Sequence, residues 1–124
     1  MDPRRVALKR RGAKSFWSGY WAEKKAAVFL WFKGYRILRS RFKTPVGEID
    51  LIARKGKTLC FVEVKKRGTI EEALYALTPQ QKQRFRRAAS LYLQGNPFEG
   101  ETRFDIILLW GRVSLKHIQN IDLL

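Results

Sequence analysis

Between Gly47 and Lys65 the chain alternates apolar and polar residues with a period of two. Gly47-Glu48-Ile49-Asp50-Leu51-Ile52 is followed by the basic turn Arg54-Lys55-Gly56-Lys57, and that turn by Phe61-Val62-Glu63-Val64-Lys65. A two-residue period is that of a strand, because successive side chains of a strand point to opposite faces. Two such segments around a glycine-containing turn predict a hairpin, and centring it on Lys55-Gly56 sets its register. Ile52 is then expected opposite Leu59, Asp50 opposite Phe61 and Glu48 opposite Glu63. One face would carry Ile49, Leu51, Ala53, Cys60, Val62 and Val64. The other would carry Ile52, Leu59 and Phe61 near the turn, with Glu48, Asp50, Glu63 and Lys65 at the far end. Asp50 and Glu63 become diagonal neighbours at about 7–8 Å by sheet geometry. Two carboxylates that close repel unless they are protonated or bridged by a cation.

The acids stand out against the rest of the chain. Twenty-six lysines and arginines oppose eleven aspartates and glutamates, for a formal charge of +15 and a pI near 10.6. Such a field favours anionic polymers or anionic membrane surfaces, nucleic acid first and membrane second. With 124 residues, 45% of them hydrophobic, the chain has the size and the apolar content of one domain with a real core. The run Ala26-Ala27-Val28-Phe29-Leu30-Trp31-Phe32 is far too short to span a bilayer, and no secretory signal is evident at the N-terminus. The single cysteine, Cys60, excludes an internal disulfide and a thiolate zinc site; it reads as a core residue. A cytoplasmic location is the expectation. There is no repeat, linker, Walker loop or dinucleotide fingerprint.

Residues 1–14 form a basic N-terminal tail, leaving 15–124 as the folded domain. Ser15 to Lys33 reads as a helix capped by Ser15 or Ser18 and stopped by Gly34, with Tyr20, Glu23, Ala27, Leu30 and Trp31 on one side. Glu23 would thus lie at the edge of the core-facing stripe, where an acid is costly unless it meets a cation or a metal. Tyr35 to Phe42 reads as a first strand, broken at Thr44-Pro45-Val46-Gly47. Beyond the hairpin, Thr69 caps a helical turn running to Leu77. Thr78-Pro79-Gln80-Gln81 starts a longer helix with Phe85, Ala88, Ala89 and Tyr92 buried, ended by Gly95-Asn96-Pro97. Phe104 to Trp110 is the most apolar strand, and Val113 to Ile118 can return beside it. His117, the only histidine, reads as a surface or edge residue.

Phosphodiester hydrolysis needs an activated water, neutralisation of charge at phosphorus and help for the leaving oxygen, and divalent cations held by carboxylates provide all three. Mg2+ or Mn2+ takes oxygen ligands and keeps several waters, so two or three carboxylates suffice. Asp50, Glu63 and Lys65 offer such groups on one face, and Glu23 could complete the site from the helix. One histidine and one cysteine leave no serine–histidine or cysteine–histidine pair for nucleophilic catalysis. Arg41, Lys43, Lys66, Arg67, Lys82 and Arg86 are the candidate nucleic-acid contacts.

These residues also carry a resemblance. Asp50, a hairpin turn and Glu63-Val64-Lys65 look like the D…(D/E)xK signature of the restriction-endonuclease-like superfamily. More closely, Gly19-Tyr20-Trp21-Ala22-Glu23-Lys24-Lys25-Ala26, Gly34-Tyr35, Gly47-Glu48-Ile49-Asp50-Leu51-Ile52 and Phe61-Val62-Glu63-Val64-Lys65 resemble the YraN-like family. Those small bacterial proteins are regarded as predicted endonucleases related to archaeal Holliday-junction resolvases. The likeness runs from about Gly19 to the end of the chain. It implies a single α/β domain with a restriction-endonuclease-like mixed sheet flanked by helices. It further implies Glu23, Asp50 and Glu63 as metal ligands, Lys65 as the catalytic lysine, Mg2+ or Mn2+ as cofactor and DNA as partner. Arg41 stands where the family's asparagine is expected, Gln81 or Lys82 falls where related nucleases often place another polar site residue, and the role of Glu48 stays open. Junction resolution calls for two active sites, which a homodimer would supply, with Trp17, Trp21 and Trp31 as candidate interface aromatics. The rival reading is a DNA-binding module of the same fold whose active site is weak or lost. A basic RNA-associated protein would explain the charge but not the acids on one strand face.

Overall fold

The computed structural model describes residues 19–111 and 114–123. The basic tail 1–14, the proposed caps Ser15 and Ser18, and Trp17 lie outside the described residues. Helix α1 covers residues 19–32 of these and ends as expected at Gly34, whose φ of +93° suits glycine alone among common residues. Tyr35 N–H donates to Leu30 C=O and Gly34 N–H to Trp31 C=O, the paired bonds of a Schellman ending. Five strands follow with two further helices: β1 Arg36–Thr44, β2 Gly47–Lys55, β3 Thr58–Lys66, α2 Ile70–Tyr75, α3 Pro79–Gly95, β4 Glu101–Trp110 and β5 Ser114–Ile118.

The strands form one mixed sheet in the order β1-β2-β3-β4-β5. All neighbours are antiparallel except β3 and β4, which are parallel and joined by the crossover through α2 and α3. The expected mixed sheet flanked by helices is therefore present. Thr78 Oγ1 accepts from Gln81 N–H at the start of α3, with Pro79 in the first turn, as the sequence signals predict.

Two apolar clusters sandwich the sheet. On one face α1 contributes Ala22, Ala26 and Leu30 to a cluster with Leu51, Ala53, Cys60, Val62, Ile107 and Leu109. On the other, Phe85, Ala88, Ala89 and Tyr92 of α3 pack on Ile52, Leu59 and Phe61. Burying each such large apolar side chain contributes roughly 1.5–3 kcal/mol, so two helices anchored this way fix both sides of β2 and β3. Cys60 is a core residue as expected, its thiol pushed up to about 11 by burial and by the charge of Asp105.

Several expectations are corrected. The buried stripe of α1 is Ala22-Ala26-Leu30, one residue round from the one predicted, and Trp31 is 66% exposed. Two small alanines let the helix lie close to the sheet, which a stripe led by tyrosine and tryptophan would prevent. The β2–β3 hairpin turns at Gly56-Lys57, so Ile52 pairs with Phe61, Ala53 with Cys60 and Lys55 with Thr58. Gly56, at φ +59°, sits at the first position of a two-residue loop, where the strand twist favours positive φ. A shift of two keeps each residue on its face but changes its opposite number. The face is also less uniform than strict alternation predicts, because Ile49 joins the α3-side cluster. Finally, His117 does lie on an edge strand, yet its side chain is only 3% exposed.

Candidate metal and nucleic-acid site

The β2–β3 ladder ends at Leu51–Val62. Continued one step, it would set Asp50 opposite Glu63. Instead the Asp50 carboxylate takes the place of a main-chain acceptor: its Oδ2 receives the Val64 N–H at 2.8 Å. The side chains of Asp50 and Glu63 are near enough for the charge of Glu63 to raise the Asp50 carboxyl. Lys65 Nζ approaches Glu63 Oε1 at 3.2 Å. The structure thus brings together Asp50, Glu63 and Lys65.

Electrostatics at this pair run against ionisation. Burial, the charge of Glu63 and the nearby carboxylates Glu23 and Glu48 push Asp50 up to about 8, although the Val64 N–H opposes them. Burial raises Glu63 as well, while the Lys65 ammonium holds it down. Two half-buried carboxyl groups with one lysine, held on Glu63, are a donor set suited to a hard divalent cation. Protonation is the other way to relieve them. Mg2+ or Mn2+ fits this pair by that chemistry.

Glu23 stands apart from the pair. Its Oε2 accepts from Arg41 Nε at 2.7 Å, so the predicted third carboxylate is held by a cation from β1. Arg41 has φ +51°, uncommon for a residue with a side chain, and follows closely on a β-bulge between Ile37 and Arg39 that re-aims the strand. Among the described residues, no group of three or more His, Cys, Asp or Glu side chains is gathered for a metal.

A cleft of about 650 Å³ opens beside Glu63, between the β1–β2 turn and the start of α3. Lys43, Glu48, Gln81, Arg84 and Arg87 line it. The turn is held by Thr44, whose Oγ1 donates to Gly47 C=O and accepts from Gly47 N–H. Gly47 itself is a steric necessity: a Cβ there would lie 2.5 Å from the Arg84 carbonyl oxygen, so a glycine lets α3 rest directly on β2.

Of the six candidate nucleic-acid contacts, Lys43 lines this cleft and Arg86 lines a neighbouring groove. Arg41 is engaged with Glu23, Lys66 and Arg67 are exposed at the end of β3, and Lys82 lies off the cleft. Arg84 and Arg87 were not singled out among the basic residues of α3. Their three-residue spacing from Gln81 put all three on one helix face, but nothing in the sequence said which face borders the acids.

A second buried polar cluster escaped sequence reasoning altogether. Asp105, 1% exposed, receives Arg103 Nε and Nη2, the Asn120 N–H and His117 Nε2. Lys33 Nζ lies 2.7 Å from His117 Nδ1. An ammonium only donates, so Nδ1 accepts, and the ring carries its proton on Nε2, where it donates to Asp105. Burial alone would raise Asp105, but His117, Arg103 and the Asn120 amide outweigh it and hold the carboxylate below its ordinary range. The only available signal was Arg103 and Asp105 two apart in a strand, hence on one face.

The profile of a family described as "Uncharacterised protein family UPF0102" matches residues 22–109. A UPF0102 protein of Rhodopseudomonas palustris (strain BisB5) is 50% identical over 118 residues, covering 94% of this chain and 85% of its own. One from Bradyrhizobium sp. (strain ORS 278) is 48% identical over 119 residues, covering 94% and 79%. Among solved structures, that of an Archaeoglobus fulgidus Holliday junction resolvase aligns with a TM-score of 0.45 at 18% identity, over 77% of this chain and 71% of that one.

Proposed function

The chain belongs to the uncharacterised protein family UPF0102, the YraN family its motifs resemble, and we propose that it is a divalent-metal-dependent endonuclease hydrolysing phosphodiester bonds in DNA, branched DNA such as Holliday junctions included. The observation that carries this reading is the half-buried Asp50–Glu63 pair with Lys65, whose Glu63 lines a cleft that also holds Lys43, Arg84 and Arg87. Asp50 and Glu63 would hold Mg2+ or Mn2+, with Glu23 joining them after leaving Arg41. When bound, the metal supplies Lewis acidity and a more acidic water. Lys65 contributes a positive charge beside Glu63 that orients the attacking water and favours negative charge as it develops at the phosphate. Lys43, near the end of β1, draws the phosphodiester toward the pair.

In this reading the folded nuclease domain is 15–124, and the basic residues of 1–14 add phosphate contacts. Work on DNA places the protein in the cytoplasm. No helix among the described residues is long and apolar enough to cross a membrane. Cutting a four-way junction on both sides takes two sites, which a twofold pair of chains supplies.

A second reading has its own observation. The Glu23–Arg41 ion pair leaves the third carboxylate engaged, as in a DNA-binding module of the same fold that no longer cuts. A cleavage panel of linear, flapped and four-way DNA, each with Mg2+ and with Mn2+, separates the two. The nuclease reading expects cutting that Asp50→Ala and Lys65→Ala abolish while DNA binding persists. Binding without cutting in either metal would leave the binding module standing.

A further inference from the structure

Helix α3 carries Lys82, Arg84, Arg86 and Arg87 and no acid over its 17 residues. None of these four takes part in an ion pair among the described residues, whereas Arg41, Lys65 and Arg103 each do. No carboxylate is in direct contact with them, so their guanidinium and ammonium groups are available to whatever lies along the helix. Two depressions follow the helix. The inner one, with Glu48 and Glu63 on its acidic side, holds Lys43, Gln81, Arg84 and Arg87; the outer one, of about 540 Å³, holds Gln83, Arg86, Arg87 and Gln94 and no acid. Val46, at the tip of the β1–β2 turn, and Arg87 border both, so the two form one groove that starts at the acidic pair and passes the turn.

We propose that this groove is the track for the phosphodiester backbone of one DNA strand, with Arg84 and Arg87 gripping phosphates next to the Asp50–Glu63 pair and Arg86 gripping one beyond the Pro45-Val46 turn. Arg84 and Arg87 are one helical turn apart, about 5–6 Å between their Cβ atoms, so they engage neighbouring anionic groups and not a single small anion. Arginine suits this task because its planar fork donates two parallel hydrogen bonds to a phosphate. The glutamine amides add donors without sequence information of their own. The close approach of the Gly47 backbone to the Arg84 carbonyl fixes the track relative to the acids, since Gly47 and Asp50 both sit on β2 and Glu63 on the neighbouring β3.

The track takes its direction from the nuclease reading but stands on binding, so the two can fail separately. Anisotropy with labelled duplex and four-way DNA, run without divalent metal over a salt series, compares Arg84→Ala/Arg87→Ala with Lys57→Ala/Lys116→Ala. The control pair removes the same charge from exposed positions outside the groove. The groove variant should bind at least ten-fold more weakly and lower the salt slope by about 1.8, the value for two duplex phosphate contacts. Arg84→Lys/Arg87→Lys, which keeps charge and fold, should recover part of the affinity. Equal losses in both alanine pairs would reduce the effect to bulk charge and overturn the track, as would displacement by poly-glutamate as effective as by unlabelled DNA. Should the groove variant bind normally while Asp50→Ala stops cutting, the track falls and the nuclease reading survives. Should the groove variant lose binding while no form of the protein cuts, the track stands and the nuclease reading falls.

Discussion

Two aspartates, one fully buried and one half-buried, stand at opposite ends of the same physics. Asp105 is surrounded by donors: Arg103 twice, His117 and the Asn120 amide, with Lys33 behind the imidazole. Asp50 has one backbone N–H and shares its surroundings with Glu63, Glu48 and Glu23, with Lys65 as the cation on Glu63. Both are desolvated, yet Asp105 is held below its ordinary range and Asp50 is raised to about 8. Burial pushes both carboxyls up; at Asp105 the donors outweigh it, and at Asp50 the single N–H does not, with the neighbouring acids adding to the rise. A saturated carboxylate has no capacity left for a ligand and serves to lock β4, β5 and the end of α1 together. An undersatisfied pair at a cleft is destabilising until something cationic arrives, and that is the property of a site.

Removing one member of the saturated cluster should have the largest effect. Asp105→Ala leaves Arg103 partly buried without its partner and should cost about 3–5 kcal/mol, read as a shift of the urea midpoint. Asp50→Asn should do the opposite to stability while cutting falls by roughly 10²–10³-fold, the usual consequence of losing a group that stabilises the reacting charge. If Asp50→Asn destabilises as Asp105→Ala does, the contrast between the two clusters is lost.

The pH dependence sharpens it. Asp50, ordinarily near 3.8, keeps its proton in the folded state up to about 8, so the native state binds more protons than the unfolded chain across that window. Stability should therefore fall as the pH rises between those values, offset in part by other groups, and Asp50→Asn should flatten the decline. Asp105 has the reverse sign: its depressed value contributes stability above 3.8 that is lost as the pH falls through its folded value. Mg2+ or Mn2+ at pH 7–8 should raise the melting temperature of the unaltered protein and leave that of Asp50→Asn unmoved.

Smaller effects follow at the frame. Gly47→Ala forces a Cβ against the Arg84 carbonyl and should cost about 1–3 kcal/mol, with DNA binding reduced further as α3 shifts. Arg41→Ala removes a partly exposed ion pair and should change stability by less than ~1 kcal/mol, while freeing Glu23. A rise in metal affinity on Arg41→Ala, followed by titration calorimetry, is the outcome expected of Glu23 as a ligand in waiting.

The strand period of 47–65, the proline and threonine at the start of α3 and the glycine after α1 were legible because each is a local demand of the backbone. So was the convergence of Asp50, Glu63 and Lys65 on one end of the hairpin, since parity along a strand survives an error in register. The turn itself was misplaced by one residue because Lys55-Gly56 and Gly56-Lys57 are both acceptable loops. Only pairing along the full length of β2 and β3, with Phe61 and Ile52 buried under α3, selects between them.

What this sequence determined by itself is the class of structure and that Asp50, Glu63 and Lys65 share one end of the hairpin, because period, caps and charge act within a few residues. Only the tertiary structure decided which cations reach those acids. Arg41 comes to Glu23 across 18 residues, His117 to Asp105 across 12 and Lys33 to His117 across 84. A side chain's protonation and availability depend on everything within a few ångströms, and neighbours at that range are set by packing and not by spacing along the chain. Asp50 and Asp105 look alike in the sequence, and their surroundings in the fold make one a fastening and the other a candidate site.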